Sequence, residues 1–190
     1  MKIILASGSP RRRELMEMLR VPELVIRPSR AEETLPEGTP AEEAVLRLSR
    51  LKALEVASRS EQDAVVIGAD TLVELRGRTL GKPRDEEEAF AMLRALSGNT
   101  HSVYTGVTVL RGERSLSEAE HTSVRFRPLS DGEIRRYIAT GEPMDKAGAY
   151  GAQGLGSLFV EGLQGDFFNV MGLPLCRLGK MLEKMGVVLL

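Results

Sequence analysis

The sequence predicts an α/β protein in which helices flank a mixed β-sheet, and three observations support this. Strand-like and helix-like segments alternate along the 190 residues, which is the pattern of helices packed on a sheet. Short turns join two pairs of strand-like segments and predict hairpins, so some strand pairs are antiparallel. In residues 122–127, apolar and polar side chains alternate with the two-residue period of a half-exposed strand.

The first elements follow from short apolar runs and helix-start signals. "IILA" at 3–6 predicts a buried strand, and Ser9 with Pro10 predicts the N-cap and first position of a helix. "LVIRPS" at 24–29 predicts a second strand. "TPAE" opens the stretch 39–58 with a capping-box pattern, so we expect a long helix there.

The later elements show the same kinds of signal. Apolar or alternating runs predict strands, and capping residues predict helix starts. In chain order they are a strand at 63–70 that ends at Asp70, a hairpin at 72–80, a helix from Asp85 to Leu96, strands at 101–110 and 120–129, a helix from Ser130 to Gly141, a glycine-rich stretch at 148–165, a helix near 170–185 and a strand at 187–190.

The composition predicts one globular domain, residues 1–190. Hydrophobic residues are 42% and charged residues 28%, and no apolar run approaches the roughly 20 residues that span a bilayer. The N-terminus lacks the pattern of a signal peptide, and a single cysteine excludes an internal disulfide. We therefore expect a cytoplasmic protein without a membrane partner. A net charge of −1 and 4% aromatic residues make nucleic-acid binding unexpected.

Cations and hydroxyls gather where the first predicted strand passes into the first helix. Ser7 precedes the turn, and Arg11, Arg12 and Arg13 lie in the first helical turn. Free backbone amides, hydroxyls and guanidinium groups together bind phosphate oxygens well. The alternative is an ordinary capped helix with solvated arginines. Three cations at the positive end of a helix repel one another, which an anion would relieve, so we favour an anion site.

Lys52 falls on the apolar stripe of the predicted 39–58 helix, together with Val45, Leu48 and Val56. Either its stem runs out along the core to solvent, or its ammonium reaches a polar site beside that face. A buried ammonium without an anion is costly. The second alternative therefore predicts a carboxylate or phosphate close to Lys52.

Acidic residues and a second lysine complete the candidate set. Asp70 follows a buried strand, where open α/β sheets place ligands, and it could hold Mg²⁺, deprotonate water or only cap the turn. Glu32 and Glu33 lie in a loop and Lys82 in a Gly-Lys-Pro turn, where each taken alone is also typical of a solvated side chain. Together, oxygen ligands and several cations suit a magnesium polyphosphate.

Other familiar chemistries are poorly supported. Proline follows Lys82, which excludes a P-loop, and no G-x-G-x-x-G lies between a strand and a helix. His101 and His121 are the only histidines, and neither has a metal-ligand neighbour at a useful spacing. Zinc chemistry and serine–histidine hydrolysis are therefore disfavoured.

Several segments spread over essentially the whole chain form a recognisable series. They are "LASGSPRRRELM" near the N-terminus, "GADT" at 68–71, "LGKP" at 80–83, "LSGNTHSVYTGV" at 96–107, "EPMDKAGAYGAQG" at 142–154 and "GDFFNVMGLPL" after it. In this order they resemble the Maf family of nucleoside triphosphate pyrophosphatases. The resemblance implies an inosine-triphosphatase-like fold, an elongated mixed sheet with two lobes around a central cleft. It also implies hydrolysis between the α- and β-phosphates with a divalent metal, Mg²⁺ or Mn²⁺, and suggests a homodimer.

The resemblance also implies a role for each candidate residue. Asp70 falls on the general-base position, Arg11, Thr71 and Gln153 on positions that choose the base, and Lys52, Lys82 and the Glu32–Glu33 pair on other site positions. On this hypothesis the metal lies between Asp70 and either glutamate, and Arg11, Arg12, Lys52 and Lys82 neutralise the departing pyrophosphate. Ser7 belongs to the phosphate-binding turn.

Two motifs distinguish the branches of the family. "GADT" and "DKAGAYGAQG" resemble the branch that hydrolyses dTTP and UTP, which implies a housecleaning enzyme for modified pyrimidine nucleotides. One alternative is a pyrophosphatase of 7-methyl-GTP or non-standard purine nucleotides. Another is a nucleotide-binding regulator of cell division without turnover. The amide of Gln153 matches N3–H and a carbonyl of uracil or thymine, and cytosine reverses that pattern. Selection therefore requires that neighbours fix the amide orientation.

Overall fold

The computed structural model describes residues 1–36 and 38–190. Within this part, the chain forms a seven-stranded sheet and six α-helices. The strands are β1 Ile3–Leu5, β2 Leu24–Ile26, β3 Val65–Leu75, β4 Arg78–Leu80, β5 Thr100–Arg111, β6 Arg114–Phe126 and β7 Val160–Gln164. The helices are α1 Pro10–Met18, α2 Ala41–Ala57, α3 Glu86–Leu96, α4 Asp131–Ile138, α5 Phe167–Met171 and α6 Leu175–Lys184.

The sheet is mixed, as the sequence predicts. Its strand order is β2-β1-β3-β5-β6-β7, and β4 pairs with β3. Strand β1 runs parallel to β2 and β3, whereas β4 is antiparallel to β3 and β7 is antiparallel to β6. The predicted hairpin at 72–80 is confirmed, because Leu75 pairs with Arg78 across its turn.

The chain divides into two compact units. The first unit contains Met1–Asp70, Thr105–Glu120 and Gly172–Leu190, and the second contains Thr71–Tyr104 and His121–Met171. One domain over residues 1–190 stays a prediction. Among the described residues, no helix combines the length and the apolar character that crossing a membrane requires.

In the first unit, the backbone of α2 packs directly against the backbone of the sheet. A Cβ atom at Gly68 of β3 would clash with the carbonyl oxygen of Ser49, and one at Gly106 of β5 would clash with the carbonyl oxygen of Val45. Helix and strands approach this closely only where the strand side chains are missing. The two glycines therefore set the distance between α2, which carries Lys52, and the sheet.

The second unit has an aromatic core. The ring of Phe126 lies 5.0 Å from that of His101, 4.7 Å from that of Tyr150 and 5.9 Å from that of Phe159. His101 and Tyr150 are also joined by a hydrogen bond of 2.8 Å. This cluster buries one of the two histidines of the chain at 3% exposure.

Strand β3 differs from its prediction. The sequence predicts a strand that ends at Asp70, but β3 continues to Leu75, so Asp70 lies within the strand. Gly68 does not break the strand, because its missing side chain leaves room for α2. Pairing with β4 extends the strand beyond Asp70.

Further predictions of element boundaries are wrong. The strand predicted at 24–29 ends at Ile26, and the strand predicted at 120–129 spans Arg114–Phe126. No capping box forms at Thr39, whose hydroxyl donates instead to the carbonyl of Pro36 at 2.7 Å. The single helix near 170–185 is two helices, since Gly172 has a φ of 110° and Pro174 follows. Residues 187–190 form no strand in the described chain, and the N–H of Val187 bonds to Leu182 at the end of α6. The glycine-rich stretch also contains β7, which the sequence does not predict.

Candidate active site

A buried ion pair lies within the first unit. Asp70 projects from β3 with its side chain 11% exposed, and its Oδ1 accepts a hydrogen bond of 2.6 Å from Lys52 Nζ. Lys52 is 14% exposed, so its ammonium does not run out to solvent. The anionic partner that its position on the apolar stripe predicts is therefore present. It is the carboxylate of Asp70.

Glu33 is the second anion on Lys52. Its Oε1 lies 3.0 Å from Lys52 Nζ, while its side chain is half-exposed. The side chain of Glu32 is exposed. Of the two loop glutamates, the structure thus brings Glu33 to the ion pair.

The loop that carries Glu33 is tied to the helix that carries Lys52. The carboxylate of Glu55 in α2 accepts the backbone N–H of Arg30 at 3.0 Å, and Arg59 donates to the carbonyl of Pro28 at 2.8 Å. Side-chain bonding from Arg59 and the N–H of Arg30 lower the pKa of Glu55 to about 2. Sequence reasoning missed Glu55, whose only signal is its place four residues before Arg59 on an exposed helix face.

Arg12 joins α1 to the strand beside Asp70. Its Nη1 donates to the carbonyl oxygen of Ala69 at 2.9 Å and to the hydroxyl of Ser7 at 3.3 Å, and its Nε donates to the carbonyl of Gly172 at 2.8 Å. The sequence predicts that this guanidinium clamps phosphate. The observed contacts also give it the role of holding the N-terminal turn against β3.

The start of α1 forms as predicted. Ser9 is the N-cap and accepts the N–H of Arg12 at 3.5 Å, and Pro10 takes the first helical position. No acidic residue lies in this first turn. Arg11 follows Pro10 and is half-buried. Because this turn carries arginines and no acid, its side chains add to the positive charge of the helix end.

Burial controls the protonation of this group of residues. It raises the pKa of Asp70 above its ordinary value, and the nearby charges of Lys52 and Arg12 oppose the increase without cancelling it. Burial also lowers the pKa of Arg12, against the attraction of Asp70 and Glu33. A carboxylate with a raised pKa is a better proton acceptor near neutral pH. Asp70 thus has the environment of a general base.

The carboxylates around Lys52 also suit a divalent cation. Glu33 and Asp70 already share one positive group. Within residues 1–36 and 38–190, no three His, Cys, Asp or Glu side chains gather to hold a metal ion. Mg²⁺ at nucleotide sites typically takes one or two carboxylates and completes its shell with phosphate oxygens and water. Two oxygen donors from the protein therefore fit a magnesium-bound nucleotide.

The remaining candidates belong to the second unit. Thr71 follows Asp70 in β3, Lys82 is exposed after β4, and Gln153 is exposed in a short loop. The carbonyl of Gly81 accepts the N–H of Gly148 at 3.0 Å, so the turn of Lys82 is bonded to the segment that precedes Gln153. Their assigned roles stay predictions.

Sequence reasoning missed two residues beside Gln153. The carboxylate of Glu142 accepts the N–H of Leu155 at 2.9 Å and that of Gly156 at 3.2 Å. The hydroxyl of Tyr137 accepts the N–H of Gly151 at 3.0 Å. Glu142 opens the motif "EPMDKAGAYGAQG", but nothing in the letters shows that its side chain returns to the end of that motif.

Comparison with solved structures defines the class of protein. The fold matches the Staphylococcus aureus Ham1 protein with a TM-score of 0.56 over 97% of this chain and 100% of that chain, at 15% sequence identity. The protein is therefore an α/β protein of the Ham1, or inosine-triphosphatase-like, fold. Residues 2–185 match the family model described as Maf-like protein. The chain belongs to the Maf family.

Relatives of similar length extend over the whole chain. A protein of Caldicellulosiruptor bescii named dTTP/UTP pyrophosphatase is 50% identical over 97% of this chain and 95% of its own length. A Clostridium perfringens protein of the same name is 47% identical over 100% of both chains. One from Bacillus cereus is 48% identical over 98% of this chain and 96% of its own.

Proposed function

We propose that this protein is a nucleoside triphosphate pyrophosphatase that hydrolyses dTTP and UTP to the nucleoside monophosphate and pyrophosphate. One observation carries the proposal. Proteins named dTTP/UTP pyrophosphatase align with the chain over nearly its full length at 47–50% identity. The arrangement around Asp70 supports the same chemistry.

Asp70 accepts the proton of the attacking water. The water oxygen forms a bond to the α-phosphorus, the bond from that phosphorus to the α,β-bridging oxygen breaks, and pyrophosphate leaves with the bond electrons. The raised pKa of Asp70 suits proton acceptance, and its contact with Lys52 fixes the carboxylate orientation.

Lys52 supplies positive charge at the point where Asp70 acts. Its ammonium is held between two carboxylates, so it is already oriented before a triphosphate arrives. Arg11 adds charge at the start of α1, and Arg12 holds that turn in place. Glu33 and Asp70 would hold a divalent metal, which would supply positive charge for the phosphates.

The remaining expectations belong to this proposal. The metal is Mg²⁺ or Mn²⁺, and the protein works as a cytoplasmic homodimer without nucleic-acid or membrane partners. A single cysteine and a soluble nucleotide substrate suit a reducing compartment. Neither 7-methyl-GTP hydrolysis nor nucleotide binding without turnover is favoured, since the relatives compared are named for dTTP and UTP.

A substrate panel tests the proposal. Purified protein with Mg²⁺ is given dTTP, UTP, CTP, GTP and 7-methyl-GTP, and pyrophosphate and orthophosphate are measured separately. We expect one pyrophosphate per monophosphate from dTTP and UTP, with EDTA abolishing turnover. Release of orthophosphate, or stoichiometric binding without turnover, would contradict the proposed reaction.

A further inference from the structure

The loop of Gln153 is held at both ends by two side chains of the second unit. Tyr137 of α4 accepts the N–H of Gly151, before Gln153, and Glu142 accepts the N–H groups of Leu155 and Gly156, after it. Tyr137 also donates to Glu142 Oε1 at 2.8 Å, which joins the two holding groups. Gln153 itself is exposed between these fixed ends.

The loop backbone lies directly on these side chains. A Cβ atom at Gly154 would lie 2.5 Å from the Glu142 carboxylate oxygens, and one at Gly156 would lie 2.8 Å from the Tyr137 hydroxyl. At Gly151 it would lie 2.7 Å from Lys146 Cε. Real Cβ atoms do not approach other atoms this closely, so glycine at 154 and 156 lets the backbone lie against Glu142 and Tyr137. At Gly151 the close atom belongs to the flexible end of Lys146.

The charges of this group are also fixed. Burial works against ionisation of Glu142, but the N–H groups of Leu155 and Gly156 and the Tyr137 hydroxyl lower its pKa overall. Burial raises the pKa of Tyr137, so its hydroxyl keeps its proton. Lys146 donates to the Glu142 carbonyl at 2.7 Å. At neutral pH an ionised carboxylate therefore accepts three hydrogen bonds, which are stronger than neutral ones.

We propose that Glu142 and Tyr137 are positioning residues that fix the Gln153 loop and thereby set the choice between uracil and cytosine bases. This inference rests on the proposed function, in which Gln153 reads the base. An amide group that is free to flip presents its donor and acceptor in either order. It would then bind cytosine as well as uracil. A loop bonded on both sides of Gln153 restricts that freedom.

The test compares UTP with CTP. In Glu142→Gln the side chain keeps its size but turns one acceptor into a donor that faces other donors. In Tyr137→Phe the bond to Gly151 is lost while the two Glu142 bonds to the loop remain. For both variants we expect the ratio of kcat/KM for UTP to that for CTP to fall by about tenfold or more. KM for UTP should rise more than kcat falls, because the Asp70–Lys52 pair is untouched.

A second comparison separates positioning from general stability. If Glu142 acts through Gln153, then Glu142→Gln adds no further change in the UTP/CTP ratio to a Gln153→Ala variant. If Glu142→Gln lowers the UTP/CTP ratio as much in Gln153→Ala as in the wild-type protein, the inference is overturned. Glu133→Gln is the matched control, because Glu133 also accepts a backbone N–H, that of Ser130, but caps α4 instead. We expect this control to keep the wild-type ratio.

The outcomes distinguish the two proposals. If the wild-type protein releases no pyrophosphate from UTP or dTTP, the proposed function fails and the inference falls with it. If the wild-type protein is active and both Glu142→Gln and Tyr137→Phe keep its UTP/CTP ratio, only the positioning role is rejected. Should Glu142→Gln not fold, Tyr137→Phe decides alone.

Discussion

Lys52 Nζ lies 2.6 Å from Asp70 Oδ1, in a pair whose two side chains are almost fully buried. An ammonium and a carboxylate in such surroundings stabilise each other, and removal of one leaves the other as an uncompensated buried charge. The pair also controls the protonation of Asp70. Burial raises the pKa of Asp70, and the charge of Lys52 reduces that increase. Stability and catalysis are therefore linked at this contact.

Replacing Asp70 by Asn removes the proposed proton acceptor with little change of shape. We expect the variant to fold, because Lys52 keeps Glu33 as an anionic partner. Pyrophosphate release should fall by about 10²–10⁴-fold, the usual contribution of a general base. The measurement is turnover of dTTP with circular dichroism as a check of folding. Asp63→Asn, at an exposed acid of the same unit, is the control, and near-normal activity of Asp70→Asn would reject the role.

Replacing Lys52 by Met should change both stability and the pH dependence of activity. Loss of one partner of a buried pair costs about 3 kcal/mol of unfolding free energy. Without the charge of Lys52, the pKa of Asp70 rises further, so the acid limb of the kcat/KM profile should move to higher pH. Lys180→Met removes an exposed lysine of the same unit and should leave both quantities unchanged. An unshifted acid limb in Lys52→Met would mean that Asp70 is not the group that titrates there.

Local signals in the sequence predicted the elements that bring these residues together. The N-cap of α1 and the apolar stripe of α2 depend on contacts within one or two turns, so their residue types are visible in sequence. The stripe left two alternatives for Lys52, and the one that places an anion near its ammonium is observed. Helix starts with a matching Ser and Glu, as at Ser130 and Glu133, were predicted correctly for the same reason.

Contacts between distant residues escaped the sequence reasoning. The sequence predicts a strand that ends at Asp70, but β3 continues to Leu75. Gly68 within it is a point of close approach by α2, a chain segment about twenty residues away. Glu142 returns to the backbone of Leu155 and Gly156, and no periodic pattern encodes that return. A glycine in a strand-like segment can mark either the end of the strand or a close approach by another backbone. Only the three-dimensional packing shows which of the two applies.

Because α2 packs directly against Gly68, one added methyl group there should strongly reduce stability and turnover. Gly68→Ala places a Cβ against the backbone of Ser49 and Ala53, which should cost about 1–3 kcal/mol of unfolding free energy. The forced shift of α2 moves Lys52 relative to Asp70, and a displacement of this order can reduce kcat by about 10²-fold. Thermal unfolding and dTTP turnover measure the two effects.

A second glycine provides the control for that change. A Cβ at Gly179 in α6 meets no atom within 4 Å, so Gly179→Ala should stabilise the helix by about 0.5–1 kcal/mol and leave turnover unchanged. If Gly68→Ala is as active and as stable as Gly179→Ala, backbone contact does not set the position of Lys52.

The buried His101 makes stability depend on pH in the mildly acidic range. Its Nδ1 has no hydrogen-bond partner among the described residues, and burial lowers its pKa from 6.5 to about 4. Between these values the unfolded chain binds a proton that the folded chain does not. The contribution of neutral His101 to stability is therefore fully present above about pH 6.5, and it is lost as the pH falls towards about 4.

The magnitude follows from the difference in pKa. Each unit corresponds to about 1.4 kcal/mol, so protonation of His101 accounts for a loss of about 3 kcal/mol across this range. Unfolding free energies measured by urea titration at several pH values, for wild type and for His101→Gln, isolate this contribution, because the carboxylates that titrate in the same range are common to both. The wild-type protein should lose about 3 kcal/mol more than His101→Gln between pH 7 and pH 4. His121→Gln, at the exposed second histidine, should follow the wild type, and equal slopes for all three proteins would show that His101 is not held neutral by the fold.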